Sequence, residues 1–274
     1  VYGFGGGAAG PDNRFPDDIR RLRATHFPPD DPLLTLALAA GLDARQWSLA
    51  REVGARISVH VNGAGQLLPL ADMLGPDVTC IHCTSLLDEE WRLLADSGAG
   101  VSISAPVEMQ MGHGIPPVQQ AIDHGILPSL SVDVETQMAG DMFRQMAVVF
   151  ALQRMRALAR RRAGETEPTS LLKVRDVVEM ATIQGAWDNG LEHRTGSLTP
   201  GKDADVILLD TRRINVAPVN DPYGAVVLGM DSSNVDTVFI GGTARKWRGL
   251  LVDVDLDGVL RDLDASRERL AVGR

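Results

Sequence analysis

The chain has 274 residues, 44% of them hydrophobic, two cysteines and a formal net charge of −9 at pH 7. That is enough for one large α/β domain, or for a domain plus a smaller appendage. The acidic balance disfavours nonspecific association with nucleic acid or anionic membrane, no apolar run reaches the roughly 20 residues of a membrane span, and two cysteines make no disulfide framework. A soluble, cytoplasmic protein is expected, and the missing initiator Met points to residues upstream. Arg160, Arg161 and Arg162 form a local basic trio that reads as a solvated helix end.

In chain order, residues 1–4 read as the end of a strand running into a glycine loop, and Gly5 to Gly7 lack the Lys-Ser/Thr ending of a phosphate loop. A short helix over 17–23, a strand over 33–38 and a helix over 43–53 capped by Asp43 follow. Residues 57–62 form a strand in which Ile57, Val59 and Val61 share one face while Ser58, His60 and Asn62 share the other. Helical stretches over 66–74 and 88–97 flank a strand over 78–83, where strict alternation sends Cys80 and Cys83 to opposite faces. A strand over 101–104 leads into an irregular Gly/Pro loop over 105–117 and a helix over 118–124. A strand over 129–133 places Asp133 with Ser129 and Ser131, and a long helix follows over 140–161. After an exposed linker over 164–170 and a helix over 174–187, the texture changes to strands and turns, with Gly241 and Gly242 as a hairpin turn. A charged helix over 256–270 closes the chain. The expected division is a barrel over 1–194, a β-rich appendage over 195–252 and a terminal helix over 253–274.

Three of these strands end in a reactive side chain: His60, His82 and Asp133. Chemistry at the C-terminal ends of parallel strands is the habit of a barrel whose other face is covered by helices. The stretches around these residues carry a resemblance. Ile81, His82 and Cys83 with Leu86 and Glu89 downstream, the run Gly112 to Val118, Val132 and Asp133 with Asp141 to Phe143 after them, Ala181 to Ala186 and Gly196 to Asp205 together resemble the amidohydrolase superfamily. The similarity is to its cytosine deaminase, S-adenosylhomocysteine deaminase and triazine chlorohydrolase branch, and it covers nearly the whole chain.

The resemblance implies a (βα)8 TIM-type barrel with a small β-sandwich, and one divalent metal ion, usually zinc and sometimes iron. It also implies hydrolysis of a C–N or similar bond in a small cyclic, heterocyclic or amide substrate, by a homodimer or larger homo-oligomer. His60 matches the fifth-strand ligand, His82 the sixth-strand histidine and Asp133 the eighth-strand aspartate. Two departures stand out. The family's first-strand His-x-His pair is absent, which places the start of this chain near the third strand, and Gly63 stands where deaminases of this branch carry a glutamate. A barrel lacking two strands would expose its edges, so these 274 residues alone are expected to be insoluble or oligomeric.

Imidazoles and a carboxylate suit zinc or iron with one position open to water. Asp133 is expected to take a proton from the attacking water, and His82 to polarise the attacked group or bind metal. Glu108 and Glu135 are the candidate proton donors near the rim, and His113 a candidate substrate contact. Met109, Met111, Met138, Met142 and Met146 are read as packing the core or the mouth, compatible with a planar substrate. The alternative is a binding protein that keeps the barrel and has lost the chemistry.

Overall fold

The computed structural model describes residues 2–5, 14–27, 34–165 and 170–272. Gly6 and Gly7 of the expected loop, residue 33 of the expected strand and residues 166–169 of the expected linker lie outside them.

Six parallel strands form one sheet: β1 (Tyr2–Gly5), β2 (Leu36–Ala40), β3 (Arg56–Val61), β4 (Val78–His82), β5 (Gly100–Ile103) and β6 (Ser129–Leu130). They lie side by side in chain order. A doubly wound sheet reverses its order at a switch point, whereas a barrel wall runs on in one direction. Among the described residues β6 does not pair with β1, so the wall is open.

Helices α1 (Ile19–His26), α2 (Ala44–Glu52), α3 (Asp88–Ser97), α4 (Ala105–Gln110) and α5 (Val118–Asp123) occupy the crossovers. After β6 come α6 (Met142–Arg162), α7 (Val174–Met180) and α8 (Ile183–Asp188). Asp43 caps α2 as its position predicts, its carboxylate accepting from the N–H groups of Arg45 and Gln46. Asp141 does the same for α6 through the N–H of Arg144. The β3 alternation is realised: Ile57, Val59 and Val61 are buried in the core with Trp47, Ala50, Trp91 and Leu94, while His60 is exposed.

The structure corrects four local expectations. Residues 105–110 of the expected loop are the helix α4, because Pro106 is tolerated in a first turn and Val107 and Glu108 are buried there. The segment between β3 and β4 is a 3-10 turn, Leu68–Met73, with Pro69 at its start. The helix expected over 174–187 breaks at Thr182, whose hydroxyl donates to the carbonyl of Val178 at 2.6 Å and whose backbone leaves the helical region. Finally, β6 ends at Leu130, three residues short of Asp133.

The rest of the chain forms a four-stranded antiparallel sheet, in the order β10-β9-β8-β7. Its strands are β7 (Val206–Leu209), β8 (Val235–Ile240), β9 (Thr243–Trp247) and β10 (Leu250–Leu251). Gly241 and Gly242 turn β8 into β9 with φ of 54° and 77°, the two positive values a two-residue hairpin demands. A short helix α9 (Pro222–Gly224) precedes this hairpin, and α10 (Leu256–Val272) ends the described chain.

Two sequence motifs are explained by their mutual contact. A Cβ at Gly196 (φ 82°) would lie 2.7 Å from the Cβ of Ala186 and 2.9 Å from the Cα of Ile183, so only glycine lets this turn rest on α8. Downstream, Asp205 accepts from the Gly241 N–H and the Thr195 hydroxyl, tying the turn to the hairpin.

Candidate functional site

His60, His82, Glu108, His113 and Asp133 meet at the C-terminal ends of β3 to β6. The rings of His60 and His82 are 5.4 Å apart, and those of His82 and His113 are 5.0 Å apart, edge to face. His82 Nε2 lies 3.9 Å from Asp133 Oδ2. His82 Nδ1 is 3.1 Å from Oε1 of Glu108, which is fully buried. Glu135 is exposed after Asp133, its carboxylate beside Gly140. Of the methionines, Met146 is in the core while Met109 and Met111 are exposed.

Strand alternation does not place these groups by itself. Val61 and His82 are register partners, as are Val59 and Cys80, so an unbroken strand would turn His82 toward the helices with them. Instead His82 (φ 73°) and Cys83 (φ 56°) have left-handed backbones, and so has Asp133 (φ 63°). That conformation costs roughly 1–2 kcal/mol for each non-glycine residue, and such residues gather where a function or packing over-determines them. The same reversal corrects the cysteine expectation: Cys83 hydrogen-bonds with Cys80 instead of facing away from it. Both thiols are free and buried, and burial first, then Cys80, pushes the Cys83 thiol well above its ordinary range.

Partial burial, then the neighbouring His82, hold the His60 pKa below its ordinary value; Asp133 opposes the shift and His113 adds to it. Its neutral form is therefore favoured, which is the form that ligates.

Two residues that sequence reasoning passed over hold the loop beyond His60. Glu90 is fully buried, and its carboxylate accepts from the N–H groups of Gly65 (2.8 Å), Leu67 (2.8 Å) and Leu87 (2.9 Å). The signal was present, a glutamate at the third position of α3, where a carboxylate reaches back to the helix start. Gln66 accepts from the N–H groups of Asn62 (3.1 Å) and Gly63 (2.9 Å) through one oxygen. A Cβ on Gly63 would meet its amide at 3.0 Å, so Gln66 fills the space into which a side chain at 63 would grow. Replacing Glu90 by Ala strands one buried and two part-buried donors and is expected to lower unfolding free energy by about 2–3 kcal/mol. Urea denaturation reads this directly, and an unchanged midpoint would remove Glu90 from the support of the site.

Imidazole and carboxylate suit a divalent ion in donor type. Two imidazoles from the ends of β3 and β4 meet one carboxylate from beyond β6, and the other nitrogen of His82 is held by a second carboxylate, as in many metal-ligating histidines. Among the described residues no group of three or more His, Cys, Asp or Glu is placed to hold a metal ion.

The profile of the amidohydrolase family matches residues 39–245. The chain belongs to the amidohydrolase family. A 5-methylthioadenosine/S-adenosylhomocysteine deaminase from Syntrophus aciditrophicus is 29% identical over 236 residues, covering 77% of this amidohydrolase and 51% of the relative. A 5'-deoxyadenosine deaminase from Methanothermobacter thermautotrophicus is 32% identical over 186 residues, covering 68% and 40%. The chain thus spans about half the length, or less, of these curated relatives. Among solved structures, an adenosine deaminase from Xanthomonas campestris with bound zinc superposes with a TM-score of 0.78 at 20% identity, over 89% of this chain and 59% of that one. Atrazine chlorohydrolase from Arthrobacter aurescens complexed with zinc gives 0.73 at 21% identity, over 91% and 58%. Among the described residues no helix of this amidohydrolase is long and apolar enough to cross a membrane.

Proposed function

We propose that the complete protein is a metal-dependent hydrolase that opens a C–N or C–halogen bond in a small heterocyclic, cyclic or amide substrate. One observation carries the reading: His60 and His82 at the ends of β3 and β4 and Asp133 just beyond β6 are gathered together, two of them through left-handed backbones, in a chain of the amidohydrolase family. The relatives' names favour an aminated heterocycle. The rest of a closed barrel and its β-sandwich, and the missing donors, would come from chain beyond these residues. A cytoplasmic homodimer is the simplest assembly.

His60, His82 and Asp133 would hold a zinc or iron ion, whose positive charge would make water a nucleophile near neutral pH and polarise the attacked group. The chain's own groups do the rest. His60, kept neutral, offers a ring nitrogen. His82, fixed from behind, points its free nitrogen at the reacting centre. Asp133 takes the proton as water adds to the sp² carbon, and then holds it within reach of the leaving nitrogen or halide. With Gly63 and the Gln66 amide beside it, the position three residues after His60 offers no second carboxylate, so this reading makes Asp133 the main proton carrier. Substrates whose leaving group needs little protonation, such as halides or activated amines, are favoured accordingly.

Metal analysis of the full-length protein, together with a hydrolysis screen of aminated and halogenated heterocycles, hydantoins and lactams, tests the proposal. The expected result is one tightly held divalent ion per chain and turnover of at least one compound class. A metal-free, inert protein that still binds heterocycles would replace it with the non-catalytic reading, which the departure at Gly63 favours.

A further inference from the structure

Glu108 lies close to His82, near the reacting centre, yet its geometry is wrong for meeting substrate. The residue is fully buried in the first turn of α4. Its Oε1 accepts from the N–H of Ser104 at 2.8 Å and lies 3.1 Å from His82 Nδ1. Its Oε2 is buried as well and has no partner. Its backbone carbonyl accepts the N–H of His113 at 2.9 Å, so the same residue also anchors the loop that brings His113 against His82. The carboxylate is closed off from solvent.

We infer that Glu108 is a positioning residue: it holds His82 as the Nδ1–H tautomer and aims the Nε2 lone pair at the space shared with His60 and Asp133. A carboxylate oxygen that already takes one backbone N–H can meet the imidazole only as an acceptor, so Nδ1 must be the donor. With Nδ1 occupied, Nε2 is the only ring nitrogen left to face Asp133, at 3.9 Å. The second bond also resists ring rotation, which matters at a residue whose backbone is held in the left-handed region (φ 73°). This deepens the proposed function, resting on it for the metal, and moves Glu108 from candidate proton donor to the support behind His82.

The test is the tautomer itself. Histidine 15N NMR of the chelator-treated full-length protein should show His82 protonated at Nδ1 and bare at Nε2. Glu108→Gln keeps an acceptor oxygen toward Nδ1 and should preserve that signature, with zinc affinity within a few-fold of the parent in a chelator competition. Glu108→Ala should mix the tautomers and weaken zinc binding about 10–100-fold, as loss of a group behind a metal-ligating histidine does. An Nε2–H tautomer in the parent protein, or Glu108→Ala with unchanged tautomer and zinc affinity, overturns the inference. If Glu108→Ala does not fold, the parent spectrum and Glu108→Gln decide. A parent protein that binds no zinc but shows the Nδ1–H tautomer would sink the metal hydrolase reading and leave the positioning role standing.

Discussion

Asp133→Asn is expected to reduce kcat/KM by about 10²–10⁴-fold on whichever substrate the screen identifies, the range over which a positioned acid or base contributes. The exchange is nearly isosteric and keeps an oxygen for coordination, yet it cannot accept a proton. Side-chain volume and the bond from the Asp133 N–H to the Ser131 hydroxyl oxygen (3.2 Å) are both retained. Unfolding midpoint should therefore move little. On the proposed mechanism Asp133 acts on the reacting water, so kcat should fall by more than KM changes. Steady-state kinetics beside thermal unfolding separates the cases. A variant that keeps parental kcat would remove Asp133 from proton transfer, and one that fails only by unfolding would show a structural role.

Asp188→Asn is expected to do the opposite, raising stability where the pH is above neutral. Asp188 ends α8 beneath the sheet, almost fully buried at 4% exposure, and burial raises its carboxyl pKa from 3.8 to about 7. Ser129, Gln184 and the nearby Arg56 oppose that rise without overcoming it. Its backbone carbonyl takes the Thr79 hydroxyl at 2.9 Å and the Arg56 Nε at 3.0 Å, while Oδ2 has no partner. A Cβ on Gly100 would lie 2.5 Å from Oδ1, so the carboxyl occupies space that a side chain at the start of β5 would need.

Below pH 3.8 both the folded and unfolded carboxyls carry a proton. Between 3.8 and about 7 the unfolded chain has released it while the folded chain keeps it. The folded state binds more protons in that window, so the contribution of Asp188 to stability is greatest in acid and is lost as pH rises through 7. At about 1.4 kcal/mol per pH unit the loss is on the order of 4 kcal/mol. Asparagine has no charge to bury and can keep the bond to Gln184. At pH 8 the variant should be more stable than the parent by up to that amount, and at pH 4 the two should converge. Urea denaturation at pH 4, 6 and 8 measures the difference; a constant gap between parent and variant across that range would dismiss the buried carboxyl as the cause.

Much of the fold could be read from patterns whose physics is local. The β3 alternation, the Asp43 cap and the glycine pair at 241 and 242 each depend on a few neighbouring residues, and each is realised. The boundaries that slipped are those decided by competition. Thr182 breaks a helix because its hydroxyl has an alternative carbonyl to bond, and α4 forms because burial of Val107 and Glu108 outweighs the flanking glycines and prolines. The order of the sheet follows from β-α alternation, but its openness depends on which strands meet.

The chemistry divides in the same way. Residue type and strand-end position alone marked His60, His82 and Asp133, since period-two burial leaves few polar positions on a wall of apolar strands. Strand position and resemblance put them in one site, but the backbone geometry that turns them together was not legible. His82 should have turned outward with Val61, and Asp133 lies beyond its strand; both are set by left-handed backbones that no propensity favours and that only surrounding contacts can hold. The sequence by itself determined which side chains are available, and the tertiary structure decided which become neighbours. Glu108 behind His82 and Glu90 beneath the His60 loop are contacts between segments, and their energies exist only once burial has removed the water that would otherwise satisfy each group.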